Sequence, residues 1–289
     1  MATTYVLYNP QAGRNTAAPD FSSLVPNAQC LRIDELNNYA AFFDSLLPED
    51  RIILVGGDGT INRFVNDTEG IAITQEIWYY PNGTGNDFAH DLGKTAENGP
   101  FPITTYLKDL PVVTVKGKTY RFLNAVGYGI DGYCCEVGDK LRQIPDKKVN
   151  YTAIAIKGML FGFKPANATV TVDGTQHFFK RAWIAPTMHG RFYGGGIMPA
   201  PYQQRNNGEK LSCVVFHGSR RLKTLIIFPK LFKGTHLKHK KHIALLEGKQ
   251  ITVEFDRPIA LQIDGETILD VTSYSASLSP AQVPEAVTI

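Results

Sequence analysis

Residues 51–60 read Arg51-Ile52-Ile53-Leu54-Val55-Gly56-Gly57-Asp58-Gly59-Thr60, and their order decides the fold class. A short run of large apolar residues, mostly β-branched, suits a strand buried on both faces. The glycines and Asp58 stop that strand. Ile61, Phe64 and Val65 then follow at helical spacing, so a helix opens directly after the turn. The same cycle returns downstream: Ile77-Trp78-Tyr79-Tyr80 is a strand, Pro81 to Asp87 a glycine-rich turn, and Phe88 to Leu92 a helical turn that Gly93 ends. Upstream, Thr3 to Tyr8 is a strand ended by Asn9-Pro10. Asp34 is placed to cap a helix with Leu36, Tyr39, Ala40, Phe43 and Leu47 on one side. Strand, glycine turn and helix in repetition imply a parallel α/β sheet with its turns along one edge.

Beyond about Leu110 the grammar changes to hairpins. Val112–Val115 and Tyr120–Val126 flank Lys116-Gly117-Lys118, and Thr169–Val172 and Gln176–Ile184 flank Asp173-Gly174. Further strands are expected at Leu211–Phe216, Ile251–Phe255 and Ile259–Ile263, with helical stretches near 139–163 and 219–233. The expected architecture is an N-terminal parallel-sheet α/β lobe over residues 1–110 and a C-terminal antiparallel β-sandwich lobe over 111–274. The segment 275–289 is a candidate to return to the first lobe.

Composition is consistent with two globular lobes: 289 residues, 43% apolar, 30 Lys+Arg against 27 Asp+Glu. No apolar run reaches the roughly 18 residues of a membrane span, since Tyr151–Phe163 is short and carries Lys157. The opening residues lack the basic start of a signal peptide, so a cytoplasmic location is expected. Cys30, Cys134, Cys135 and Cys213 show no CxxC spacing, which suits reduced thiols buried as small hydrophobes. The near-neutral total hides an imbalance: Lys210–Leu246 holds nine Lys or Arg and no Asp or Glu. One face is therefore expected to attract anions.

Glycines between a strand and a helix let the backbone approach a ligand, and the peptide N–H groups of the helix start can then bind phosphate oxygens. An Asp in such a turn can hold Mg²⁺ bridging those phosphates. An isolated Gly-Gly-Asp-Gly would equally serve as a plain tight turn. Three turns along one edge, at Asn9-Pro10-Gln11-Ala12-Gly13-Arg14, at 56–60 and at Gly83-Thr84-Gly85-Asn86-Asp87, favour a phosphate site, where ligands of open α/β sheets bind. Arg14 adds a guanidinium suited to phosphate.

Those three turns, in that order, resemble the signatures of the diacylglycerol kinase catalytic domain, in the bacterial soluble branch related to sphingosine and ceramide kinases. Asn124-Ala-Val-Gly-Tyr-Gly129, Tyr193-Gly194-Gly195-Gly196 before Pro199-Ala200-Pro201, and Ile263-Asp264-Gly265-Glu266 extend the resemblance over nearly the whole chain. It implies a fold like that of NAD kinases and phosphofructokinases, with ATP between the lobes. Gly56, Gly57, Asp58, Gly59 and Thr60 would hold phosphates and Mg²⁺, and Asn9, Gly83, Gly85 and Asn86 would line the nucleotide site. Asp264 matches the carboxylate expected as general base, with Glu266 beside it. Asp58 is the rival for that role.

The sequence departs from the family pattern at Arg14, where Lys is common, and at His90, where Arg is usual. Asn206-Asn207-Gly208-Glu209-Lys210-Leu211-Ser212 replaces an acidic element that holds a structural Mg²⁺ in some relatives, so that site is not expected here.

The resulting expectation is an ATP- and Mg²⁺-dependent kinase of diacylglycerol or a related lipid, peripherally attached to an anionic membrane surface through the basic segment. A core-facing helix with a solvated basic face would account for that segment equally well. Nucleic acid is not among the expected partners, and a homodimer is among those the sequence allows. The alternatives are a kinase of a soluble alcohol such as NAD, and a non-catalytic lipid- or nucleotide-binding member of the fold.

Overall fold

The computed structural model describes residues 2–10, 21, 25–144, 149–205 and 209–278. The chain forms two compact units, 1–108 and 109–289. In the first, strands β1 (Thr4–Tyr8), β2 (Gln29–Arg32), β3 (Arg51–Gly56), β4 (Glu76–Pro81) and β5 (Phe101–Pro102) lie in the order β2-β1-β3-β4-β5. The first four are parallel, and the two-residue β5 runs antiparallel to β4. The helices are α1 (Tyr39–Asp44), α2 (Asp58–Asp67) and α3 (Asp87–Asp91).

Register explains how the turns meet: Tyr8 pairs with Val55, Val55 with Tyr80 and Gly56 with Pro81. The C-terminal ends of β1, β3 and β4 therefore stand level. Val6, Ile53 and Val55 are buried on one face of this sheet with Phe21. The intervening Leu7, Ile52 and Leu54 are wholly buried, and α2 covers β3 with buried Ile61 and Phe64. The helix at 34–47 differs from expectation. Asp34 pairs with Arg32 at 2.8 Å, while the Asn38 carboxamide caps α1 by accepting the Ala41 N–H at 3.0 Å. A side chain already held by a neighbouring cation is not available as a cap, and the helix starts later.

The second unit contains β6 (Val112–Val115), β7 (Lys118–Arg121), β8 (Ala125–Tyr128), α4 (Ile130–Arg142), α5 (Tyr151–Lys157), β9 (Ala166–Val172), β10 (Thr175–Ala182), β11 (Thr187–Met188), β12 (Leu211–Phe216), α6 (Arg221–Ile227), β13 (Ile243–Gly248), β14 (Gln250–Ile263) and β15 (Glu266–Ser277). Its ten strands form one antiparallel sheet in the order β13-β12-β11-β8-β14-β15-β6-β7, with β9 joining β10 to β14. Irregular register between Glu254 and Leu261 lets β14 pair with β9 in its first half and with β8 in its second. Three hairpins turn through paired positive φ values, Lys116-Gly117, Asp173-Gly174 and Asp264-Gly265, as two-residue loops between twisted strands require. Residues 275–277 end β15 beside β6 in this unit, and residues 279–289 lie outside the described residues.

Candidate functional site

In the first unit the turns after β3 and β4 are joined backbone to backbone. A Cβ on Gly83 would run into Gly57 Cα and stand 2.8 Å from Asn86 Oδ1. Glycine at 83 is what permits this approach, and a Cβ on Gly57 would be crowded too, at 3.1 Å from Gly83 Cα. Asn86, in the left-handed region at φ 52°, closes its own turn by accepting the Gly83 N–H at 2.8 Å and donating to the Gly83 carbonyl at 2.9 Å. The Tyr79 phenol donates to the Gly56 carbonyl at 2.9 Å, and the Asn82 N–H reaches the same oxygen at 2.8 Å. Burial first, then the negative charges of Asp58 and Asp87, push the Tyr79 hydroxyl well above its ordinary range, so it stays a donor.

Asp58 spans the two turns. Its Oδ2 accepts the Asp87 N–H at 2.9 Å and its Oδ1 accepts the Phe88 N–H at 2.8 Å, which caps the start of α3 from 29 residues away. At β1, the Asn9 N–H donates to the Val55 carbonyl at 3.1 Å and its carboxamide donates to Thr60 Oγ1 at 3.3 Å. Asn9, Gly57, Asp58, Thr60, Gly83 and Asn86 are thus brought together. Gly59 sits in the first turn of α2, and Gly85 is exposed in the turn before α3. Arg14 lies outside the described residues.

The cradle fits the phosphates of a nucleotide. At the start of α2 the Thr60 and Ile61 N–H groups donate to the Gly57 carbonyl at 3.0 and 3.4 Å, the N–H groups ahead of them lie at the positive end of the helix, and the glycines leave no Cβ in the way. The metal expectation fits less well. Among the described residues no group of three or more His, Cys, Asp or Glu side chains could share an ion, and both Asp58 oxygens are turned to backbone N–H groups. The described side chains therefore build no closed cage for Mg²⁺. At the departed acidic element, the Ser212 hydroxyl donates to Gln203 Oε1 at 2.5 Å, while 206–208 lie outside the described residues.

In the second unit Asp264 occupies the β14–β15 turn at φ 47°. Its Oδ2 accepts the Leu123 N–H at 2.5 Å, and its Oδ1 accepts those of Asn124 at 2.7 Å and Ala125 at 3.0 Å. The same 123–125 segment is held from behind. The Leu123 carbonyl accepts from His189 Nδ1–H at 2.9 Å and from the Arg205 guanidinium, which also donates to Asn124 Oδ1 at 2.8 Å. The His189 and Gly190 N–H groups meet the Asn124 carbonyl at 2.8 and 3.0 Å. Glu266 begins β15 and is exposed.

Sequence reasoning missed Tyr79, His189 and Arg205 as site residues, and it gave Asp87 no role beyond its motif. Asp87 and Tyr79 border the glycine turn and could have been found there. His189 and Arg205 carry no local signal, because their partners lie 66 to 82 residues away.

Two family models divide the chain: the diacylglycerol kinase catalytic domain matches residues 3–110, and the YegS C-terminal NAD kinase beta sandwich-like domain matches 124–289. A protein named diacylglycerol kinase from Mycobacterium tuberculosis (strain ATCC 25618 / H37Rv) is 26% identical over 71% of this chain and 67% of its own. One of the same name from Bacillus subtilis (strain 168) is 23% identical over 92% and 90%. A crystal structure described as a diacylglycerol kinase from Bacillus anthracis str. Sterne covers 97% of this chain and 98% of its own at 20% identity, with a TM-score of 0.60, a likeness of fold.

Proposed function

Because the chain belongs to the family that joins a diacylglycerol kinase catalytic domain to a YegS C-terminal NAD kinase beta sandwich-like domain, we propose that it moves the γ-phosphate of ATP to a hydroxyl of diacylglycerol or a similar lipid. Phosphotransfer to an alcohol is the activity of its family. The observation that carries the reading is the paired glycine turns, locked together by Gly57 on Gly83 and by Asp58 across the start of α3. Such a site positions phosphates rigidly, and positioning with charge stabilisation is most of what phosphoryl transfer requires.

In this proposal the opening N–H groups of α2 and those of residues 84–86 bind phosphate oxygens, and Asn9 and Thr60 fix the edge of the cradle. Mg²⁺, when present, neutralises phosphate charge. Asp264, aimed by three backbone donors, receives the proton of the attacking hydroxyl. A loose transition state asks little basicity of that group.

Attachment to an anionic membrane is the second half of the proposal. Arg221 donates to the carbonyls of Met159 at 2.5 Å and Phe163 at 3.1 Å, which ties the 158–162 turn to α6. Phe161 is 81% exposed there, beside Leu222 at 74% and Ile226 at 61% on α6. Thr224, Ile227 and Leu231 of the same segment face the core. The helix is thus apolar on both sides, within the chain's basic stretch. Large apolar side chains among cations suit an anionic lipid surface, each near-surface cation adding about 1 kcal/mol.

The test is incubation with labelled ATP, Mg²⁺ and a panel of lipids in anionic mixed micelles, with identification of the product. A labelled lipid is expected. Label on NAD or a sugar instead, or no ATP consumption at all, would overturn the proposal.

A further inference from the structure

The basic segment holds a contact that can exist in one protonation state only. Lys230 Nζ stands 2.7 Å from His239 Nε2. An ammonium group has protons to give and no lone pair to offer, so Lys230 donates and the imidazole accepts as a neutral ring. A proton added to His239 removes the acceptor and sets two cations face to face.

The backbone on both sides of the pair is tied down. The Lys230 carbonyl accepts the Thr235 N–H at 3.1 Å, and the His239 carbonyl accepts those of His242 at 2.8 Å and Ile243 at 3.0 Å, where β13 begins. The His239 N–H in turn meets the His236 carbonyl at 2.9 Å. Relief of the conflict therefore falls to the two side chains, which must turn outward. The charged or titratable groups around His239 are Lys230 from the turn Phe228–Lys233, Lys223 from α6 and His242 ahead of β13. His242 itself faces the His217 carbonyl after β12, Nδ1 to oxygen at 3.2 Å, and β13 opens with the apolar Ile243. No Asp or Glu occurs between Lys210 and Leu246. Lys238, Lys240 and Lys241 are exposed next to the pair, and Phe232 is exposed between Lys230 and Lys233.

Burial first, then the charges of Lys230, Lys223 and His242, hold the His239 imidazole below its ordinary range. The contact's contribution to the fold is thus present above the ordinary histidine range and is lost as pH falls through the lower folded value. A dense negative charge outside the protein reverses that balance, because phosphates favour the protonated ring and accept from both cations. We propose that Lys223, Lys230 and the run Lys238 to His242 form a surface that binds the phosphodiester headgroups of an anionic bilayer with uptake of a proton at His239, so that attachment tightens as pH falls. This inference rests on the attachment half of the proposed function and not on turnover. By linkage, a surface that gains a proton on binding gains affinity as the free ring approaches its own titration. One added near-surface cation corresponds to about a five-fold gain.

The test is sedimentation with vesicles of equal parts phosphatidylcholine and phosphatidylglycerol at fixed ionic strength, at pH 7.5 and 5.5, on protein that circular dichroism shows folded at both. The phosphodiester keeps its charge throughout, so any pH response belongs to the protein. Wild type is expected to bind about five-fold more tightly at pH 5.5, and pure phosphatidylcholine should show no such gain. His239→Gln keeps an acceptor for Lys230 and takes up no proton; it should match wild type at pH 7.5 and lose most of the gain. His239→Lys, charged at both values, should bind at pH 7.5 about as tightly as wild type does at pH 5.5. Lys230→Gln removes the opposing cation, and the His239 ring signals in proton NMR should then titrate at higher pH than in wild type. A wild-type pH response in His239→Gln, or an unchanged titration in Lys230→Gln, would overturn the proposal. Release from the vesicles by inorganic phosphate at constant ionic strength would do so too, by giving the site to a free anion. Vesicle binding with no pH response refutes this inference and leaves attachment standing, whereas no binding at either pH refutes attachment itself.

Discussion

Replacing Asp58 with Asn changes one atom at the junction of two turns, and the geometry sets the cost. The carboxylate now accepts from Asp87 and Phe88 N–H groups at 2.9 and 2.8 Å. A carboxamide has one acceptor oxygen, so one of these N–H groups would face an NH₂ instead. The loss combines a hydrogen bond to a charged acceptor, about 1.5–3 kcal/mol, with a donor left unsatisfied, about 1–3 kcal/mol. Asp58 is only partly buried, which favours the low end of each range. A net destabilisation of about 2–3 kcal/mol is expected, together with at least about a 100-fold loss of kcat/KM, or roughly 2.7 kcal/mol. Urea unfolding followed by circular dichroism would measure the first, and initial rates at saturating Mg²⁺ the second. The sequence alone suggests a substitution that spares the fold, because the turn's shape belongs to its glycines. The structure predicts that stability and activity fall together. A variant as stable as wild type would refute the capping argument, and near-normal turnover would remove Asp58 from the site.

Gly83→Ala drives a Cβ into Gly57 and should destabilise by about 1–3 kcal/mol while weakening ATP binding, as calorimetric titration would show; wild-type affinity would mean the turns can part freely. Asp264→Asn should lower kcat and stability with little change in ATP·Mg²⁺ affinity, since its partners are Leu123, Asn124 and Ala125; a normal single-turnover rate with poor ATP binding would contradict that. The buried His236 donates from Nε2 to the Pro199 carbonyl at 2.8 Å, Nδ1 has no hydrogen-bond partner among the described residues, and burial lowers its pKa. Its stabilising contribution is present above the ordinary histidine range and is lost as pH falls through the lower folded value, so His236→Gln should flatten the acid side of the melting-temperature profile. Sedimentation with anionic vesicles should fall steeply between 0.1 and 1 M salt, as the Debye length shrinks from about 10 to about 3 Å; equal binding to neutral vesicles would give the basic segment another purpose.

The sequence by itself determined what depends on neighbours along the chain. Arg51–Val55 could only be a buried strand, and the glycines that follow could only be a turn. The turns Lys116-Gly117-Lys118 and Asp173-Gly174 placed two hairpins, because the positive φ that Lys116, Gly117, Asp173 and Gly174 adopt is a local demand that few residue types meet. The edge strand Gln29–Arg32 escaped notice because its residues are largely exposed and show no alternation. Position in a sheet, and not residue pattern, makes it a strand. The carboxylates show the same limit more sharply. Asp58 and Asp264 are one residue type at a helix start and a hairpin turn, and only the tertiary structure distinguishes them: Asp58 accepts the Asp87 and Phe88 N–H groups, and Asp264 accepts those of Leu123, Asn124 and Ala125. A carboxylate's chemistry is set by the donors and the dielectric around it, and those arrive from segments up to 141 residues away.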